Sequence, residues 1–320
     1  MADPALLHSY RINPDGSSET VDPKTPPSSE SIIWLHFNAA HAATKTFLKE
    51  ELHVDPLVVK ALTAYEARPR LDEFGSNMLL ILRGIHFNEG PKPEDLVSIR
   101  IWVGGNRIVT IRHRKSRAMS DIAERIKQGR GPRRIGDFVS QIIDELHDGI
   151  DPTIYELIGA IDALEAESID TPSSDLRYDI AQIRKQALLF RRHLAPQRDV
   201  IHRLHHSQQA WMTDSDRWYM QDNYNRVTRH LEDLEATRER AQIVQDDLDN
   251  ALTSKLNRNI YMLSVITVIF MPITFLTGLL GINVDGIPGA HHPASFLIFC
   301  GILAVVIAAE IFFFRKFKWF

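Results

Sequence analysis

The sequence predicts an α/β N-terminal domain, a long helical stalk and two C-terminal transmembrane helices. Three observations carry that expectation. Residues 259–284 hold no formal charge, and Ala294 to Phe314 is interrupted only by Glu310. Each stretch reaches the roughly 20 residues a helix needs to cross a bilayer. Residues 31–130 read as short strands and helices, whereas from Ile135 the apolar periodicity is helical and stays so. Average composition conceals this: 24% charged and 44% hydrophobic residues over a length of 320 would suit a soluble protein.

Residues 1–30 contain no apolar signal-peptide core, and Asn13 to Ser31 is rich in Pro, Ser and Asp, which predicts a disordered or loosely packed tail. Ile32 to Asn38 then reads as a strand, Ala40 to His53 as a helix and Met78 to Phe87 as a buried strand. Leu96–Val103 and Arg107–Arg112 flank Gly104-Gly105-Asn106, a composition suited to the positive φ of a tight hairpin. These segments make an α/β domain over 31–130. The stalk, 131–258, opens with a helix from Gly136 to Ser168, which Thr171-Pro172-Ser173 ends. A second helix, Leu176 to Leu194, is expected to stop at Ala195-Pro196, with Pro196 in the first turn of a third. No further breaker follows Gln197 until Pro272, so an unbroken third helix to Asn283 would extend on the order of 130 Å.

Two stripes of that helix differ. Val227, Leu231, Leu234, Ala241, Leu248 and Leu252 form an apolar heptad seam, with Arg238 and Gln245 as exceptions, suited to packing against other helices. The opposite stripe runs Asp246, Asn250, Thr253, Asn257, Ile260, Ser264, Thr267, Met271, Thr274, Gly278. It is polar or small at all but two positions and continues into the apolar span. Tight helix packing explains small and hydroxyl residues in a membrane helix. A water-facing, pore-lining stripe also explains why the pattern begins in the polar part of the helix, with Ile260 and Met271 as apolar constrictions that gate by dewetting. One such helix cannot enclose a channel, so the pore reading requires a homo-oligomer.

Lysine and arginine placement sets the expected orientation. Lys255 and Arg258 precede the first span (259–283), Arg315, Lys316 and Lys318 lie in the tail 315–320 after the second (294–314), and the loop 284–293 between them has none. Both termini are therefore expected in the cytoplasm, with the loop outside, in a bacterial inner membrane. A net charge of −4 and pI near 6.4 give no global basic surface. Arg107 to Arg134 holds ten Lys or Arg against two acids, but no nucleic-acid-binding motif accompanies it, and nucleic acid is not an expected partner. The single cysteine, Cys300, rules out an intrachain disulfide framework and a cysteine-cluster metal site. No GxxxxGK[ST] loop is present, which leaves ATP-driven pumping unsupported.

Gly281-Ile282-Asn283 closes the first span and is followed by Val284-Asp285-Gly286-Ile287-Pro288-Gly289. At this place the chain resembles the CorA superfamily of divalent-cation transporters, whose signature there is Gly-Met-Asn. Ile282 departs from it. That departure, with Gly286-Ile287-Pro288-Gly289, Ser295-Phe296, Phe299-Cys300 and the upstream Arg68-Pro69-Arg70-Leu71-Asp72-Glu73-Phe74, resembles the ZntB zinc-transporter branch. The resemblance implies a funnel-shaped homopentamer with an axial pore, Gly281, Ile282 and Asn283 forming the ion-selectivity ring, and proton-linked zinc uptake. A neutral amide at Asn283 holds a cation's water shell without trapping the ion; Asn also commonly ends helices. In the outer loop, His291 and His292 suit zinc, while Asp285 is the sole carboxylate. Asp199, His202 and His206 share a helix face and form a candidate cytosolic zinc site, the alternative being an ordinary solvated face. No carboxylate or histidine occurs in 259–284 to carry a proton. The expected function is therefore divalent-cation transport, zinc before magnesium or cobalt, by a non-enzyme without a cofactor whose partners are its own copies, metal ions and lipid. A non-conducting membrane-anchored sensor is the alternative of another class.

Overall fold

The computed structural model describes residues 5–65, 67–85, 96–281 and 293–316. The chain divides into two compact units, 1–246 and 247–320. The first is built on a seven-stranded mixed sheet of order β2-β1-β3-β7-β6-β5-β4. Its strands are β1 (Leu6–Ile12), β2 (Ser18–Thr20), β3 (Ile32–Asn38), β4 (Arg70–Phe74), β5 (Asn77–Ile85), β6 (Leu96–Gly104) and β7 (Arg107–Arg112). Only β3 and β7 pair in parallel, with Trp34 opposite Ile108 and His36 opposite Thr110. The expected hairpin is present: Gly105 takes φ +57°, a conformation that costs glycine little.

The segment expected to be a loose tail instead contributes two strands. β1 lies between β2 and β3, pairing antiparallel with both. Alternation explains it: His8, Tyr10 and Ile12 fall on one face, where His8 and Tyr10 stack on Trp34 with ring centroids 5.5 and 6.1 Å apart and Ile12 is fully buried. The helix expected over Ala40–His53 is present as α1 (Ala42–Glu50), and an unexpected second helix, α2 (Pro56–Thr63), follows it. Asp55 caps the second by accepting from the Leu57 N–H at 2.7 Å, and Pro56 fits its first turn. α1 and α2 close one sheet face around Leu35, Phe37, Leu48, Leu62, Leu79 and Ile111. On the other face Trp34 meets Phe138, with centroids 5.4 Å apart.

α3 (Arg117–Lys127) leads into α4 (Ile135–Asp170), α5 (Leu176–His205) and α6 (Asp214–Leu280). Pro196 does not divide the chain as expected; α5 runs through it, and the break falls at residues 206–213. The cause is a capping box that opens α6. Thr213 N–H donates to Asp216 Oδ2 at 2.8 Å, and Asp216 N–H donates to Thr213 Oγ1 at 3.3 Å. Arg134, just before α4, reaches Thr213 Oγ1 at 3.0 Å and both oxygens of the buried Asp216 at 3.3 Å, so the starts of α4 and α6 share one node.

Between Met220 and Leu248 the buried positions of α6 are Met220, Asn223, Val227, His230, Leu234, Thr237, Ala241, Val244 and Leu248. The line Val227, Leu234, Ala241, Leu248 agrees with the expected seam. Its companion line is displaced by one residue, to His230, Thr237 and Val244, leaving Leu231 partly exposed. Polar groups occupy that line because they find partners, Asn223 on α4 at Asp144 and Thr237 on its own helix at the Asp233 carbonyl. In the second unit, α7 (Ser295–Lys316) is a separate helix.

Gly136 tests the node. Its missing Cβ would overlap the Asp216 carboxylate, which the capping box holds still, whereas at Gly149 in the same helix nothing lies within 4 Å. Gly149→Ala should stabilise the protein by up to ~1 kcal/mol, the usual helix-propensity gain. Gly136→Ala should instead destabilise it by about 1–3 kcal/mol through overpacking. Thermal unfolding of the two variants separates them, and equal shifts would remove the node from the account.

Candidate ion-permeation site

The C-terminal part of α6 is an apolar helix in which most side chains stand exposed: its most apolar stretch is 6% buried, and that of α7 is 0% buried. Both helices are long and apolar enough to cross a membrane. Exposure of Ile260, Leu263, Phe270, Phe275, Leu279 and, on α7, Phe296 and Leu297 gives each an uncovered apolar surface.

Within this segment α6 has two distinguishable sides. Val265 is buried, and Ile269, Pro272, Ile273 and Leu276 are partly sheltered. The stripe residues Asn250, Thr253, Asn257, Ile260, Ser264, Thr267, Met271, Thr274 and Gly278 are all exposed. At about 100° per residue the two lines centre about half a turn apart. Met271 thus stands with the hydroxyls and away from the sheltered line. Ser264 Oγ donates to the Ile260 carbonyl and Thr267 Oγ1 to the Leu263 carbonyl, each at 2.9 Å. Their protons are spent inside the helix, so the oxygens offer lone pairs outward, as a cation or its hydration shell requires. Asp246, the last residue of the first unit, is exposed and accepts from Gln242 Nε2 at 2.9 Å.

At the end of α6 the Gly281 N–H donates to the Thr277 carbonyl at 2.9 Å, and a Cβ on Gly281 would lie 2.9 Å from that same oxygen. Glycine is needed to let the chain turn so close to its own carbonyl. Ile282, Asn283, Asp285, His291 and His292 lie outside the described residues.

The cytosolic zinc set expected from Asp199, His202 and His206 does not assemble. Asp199 pairs with Arg198 at 3.0 Å, and His206, at the end of α5, has its Nδ1 2.9 Å from the His202 carbonyl. The His202 and His206 rings lie 4.5 Å apart with planes tilted by 42°. Spacing of four on a helix brings the rings together, but the helix end directs one of them back to the backbone. Among the described residues no group of three or more His, Cys, Asp or Glu is placed to hold a metal. Replacing both histidines with alanine should therefore leave the zinc stoichiometry of the purified protein unchanged in calorimetric titration; loss of about one ion per chain would restore the ligand set.

Sequence reasoning passes over a different group between α4, α5 and α6: the buried His147, Asn223 and Gln197 and, one turn on, the buried His230 with the partly exposed Asp151 and Arg226. The signal is present as polar residues at every seventh position of α6, namely Asp216, Asn223, His230 and Thr237.

A sheet-based domain and three packed helices lead into two helices long and apolar enough to cross a membrane, and comparison with known proteins gives the class, a divalent-cation transporter. The family described as CorA-like Mg2+ transporter protein matches residues 29–316. The zinc transport protein ZntB of Yersinia enterocolitica is 32% identical over 313 residues, covering 98% of this chain and 95% of the relative. The divalent cation transporter CmaX of Pseudomonas aeruginosa is 34% identical over 293 residues, 91% of this chain and 88% of the relative. Among solved structures, that of the full-length CmaX protein aligns with a TM-score of 0.85 at 31% identity, covering 100% of this chain and 99% of that one. The chain belongs to the CorA-like transporter family.

Proposed function

We propose that copies of this chain assemble around an axis, as a pentamer, and conduct a divalent cation, zinc, along the exposed stripe of α6. The observation that carries the reading is the stripe itself: polar or small residues on the side of α6 opposite its sheltered line, continuing through residues that are otherwise apolar. Hydroxyls and a glycine facing a shared axis are satisfied by water, whereas facing lipid they gain nothing. The named activities of the ZntB and CmaX relatives support the ion class. In this reading Asn283 forms the ring that receives the hydrated ion, with Gly281 and Ile282 shaping it, and Asp285, His291 and His292 present ligands outside. Two imidazoles against a single carboxylate in this loop favour zinc over magnesium.

The driving force needs no further engine. An inside-negative potential supplies about 2.3 kcal/mol per charge per 100 mV, so a divalent cation gains roughly 4.6 kcal/mol on entry. The span 259–284 has no carboxylate, histidine, lysine or arginine. Proton linkage would therefore act by co-permeation or through pH-dependent gating, and not through a protonated carboxylate or histidine in the pore. In this arrangement residues 31–258 lie on the cytosolic side of the bacterial inner membrane, 259–283 and 294–314 across it, and 284–293 outside. Cysteine substituted at Ala290 should react with an impermeant reagent from outside; labelling from the cytosolic side alone would invert the topology.

Two pore variants test the mechanism in the same liposomes. Asn283→Ala should reduce zinc flux at least tenfold while leaving oligomer size unchanged, because it removes capture and not packing. Met271→Ser should raise leak flux by wetting an apolar constriction. Normal flux in Asn283→Ala would defeat the capture role. Loss of the oligomer in Met271→Ser without added leak would mean that Met271 packs against a helix instead of facing the axis.

A further inference from the structure

Three buried side chains and the partly buried Asp144 form one directed hydrogen-bond chain across three helices and the sheet. The Arg83 backbone N–H, on β5, donates to Gln197 Oε1 on α5 at 2.7 Å. Gln197 Nε2 stands 3.3 Å from His147 Nε2 on α4, and His147 Nδ1 stands 2.7 Å from Asn223 Oδ1 on α6. Asn223 Nδ2 donates to Asp144 Oδ1 at 2.5 Å and to the Tyr219 carbonyl at 3.0 Å. His147, Gln197 and Asn223 are 0%, 1% and 2% exposed.

The partners fix every orientation. Asn223 spends its amide hydrogens on Asp144 and Tyr219, so its oxygen faces His147, and Nδ1 must carry the ring proton. Gln197 spends its oxygen on the Arg83 N–H, so its amide hydrogens face Nε2, which must be the bare acceptor. The neutral Nδ1–H tautomer satisfies the chain. A second proton on Nε2 would point a donor at a donor. Relief by flipping the Gln197 amide would take its oxygen from the Arg83 N–H; relief by moving the ring would break the bond to α6. Either way an interior donor is left unpaired, at a cost of roughly 1–3 kcal/mol.

We propose that His147 is a proton-sensitive latch joining α6 to α4, α5 and β5, and that acidification of the solution around this domain releases it. The charged surroundings pull both ways, and burial decides for the neutral state. On α4 the acids Asp144, Asp148 and Asp151 lie within a turn or so; α6 presents Arg226 and His230, and also Asp222 beside Asp144; α5 presents the amide of Gln197, with His193 one turn earlier; and the Arg83 side chain of β5 bonds to the Ala67 carbonyl. Burial, opposed by the bond to Asn223, and then the charges of Arg226 and His230 push His147 from 6.5 down to about 4. His230 is also lowered by burial, although Asp151 Oδ1 lies 2.9 Å from its Nε2. The sign follows. A lowered histidine stabilises the closed arrangement in its neutral form, so the contribution is complete above 6.5 and is lost as pH falls toward about 4. For the transport reading, on which only the consequence rests, this supplies a pH-responsive element outside a pore that has no carboxylate or histidine.

Hydrogen exchange of the full-length protein in nanodiscs, corrected for intrinsic exchange rates, tests the latch at residues 140–150 and 219–227. Between pH 7.5 and 5.5 protection should fall about tenfold if the released histidine returns to its ordinary affinity. His147→Gln, which keeps a donor toward Asn223 and an acceptor toward Gln197 but does not titrate in this range, should abolish that fall. His230→Gln should retain it. Gln197→Glu should reverse it: a carboxylate can accept from both Arg83 N–H and a protonated Nε2, raising the histidine above its ordinary value, so protection is complete at low pH and lost as pH rises. Unchanged protection in the wild type, a wild-type fall in His147→Gln, or its loss in His230→Gln would overturn the proposal. If His147→Gln fails to assemble, the sign in Gln197→Glu decides. Exchange reads the latch whether or not the protein conducts, so failure of the transport reading would leave this result distinct.

Discussion

A single helix has to satisfy two solvents. α6 begins at a capping box in the polar part of the chain and ends in a segment of Ile, Leu, Val and Phe. Its exposed hydroxyls do not stop where the charges stop. Hydrocarbon satisfies the apolar side chains, and the Ser264 and Thr267 hydroxyls hide their protons on their own helix carbonyls. Their oxygens and the open flank of Gly278 remain on one side. Neighbouring copies that turn this side toward a common axis resolve the conflict, which is why assembly, water access and cation passage form one proposal.

What holds the upstream part of α6 in place is polar as much as apolar. Its apolar line, Val227, Leu234, Ala241 and Leu248, would pack acceptably at several registers, since one aliphatic contact resembles another. The Arg134–Asp216 node, Asn223 between His147 and Asp144, and Arg226 across Asp148 and Asp151 accept a single register. Buried ionic and amide groups are costly, but wrong pairings cost more, so such a seam selects one alignment of helices. It also makes the alignment responsive to the protonation state of His147.

Much of this is legible in the sequence. The near-continuous apolar run in Ile32–Asn38, the Gly104-Gly105-Asn106 hairpin, the apolar spans and the α6 stripe are local patterns whose physics does not depend on distant partners. The misses share a cause. β1 is hidden because a seven-residue alternating run precedes a Pro- and Ser-rich segment, and its pairing with β3 is a long-range contact. Pro196 is the stronger local signal for a helix break, yet the break falls at residues 206–213, where Thr213-Asp214-Ser215-Asp216 carries a capping-box pattern that opens the next helix. The companion line of the seam lies one residue from its expected place because His230 and Thr237 are unexpected in a helix interface until Asp151 and the helix's own carbonyls are known to receive them. The histidine pair at 202 and 206 has good spacing, but its position at a helix end governs where the rings turn.

The claim that one side of α6 faces water through the apolar span is tested most directly by cysteine accessibility. With Cys300→Ser as background, single cysteines would be placed at Ser264, Thr267, Thr274 and Gly278 and, opposite them, at Val265, Ile269 and Leu276. Each would be exposed to a small charged thiol reagent while zinc flux is recorded in liposomes. The expected result is modification and block at the first four positions, with slow reaction and unchanged flux at the other three. Equal reactivity on both sides, or reaction confined to Val265, Ile269 and Leu276, would contradict the account.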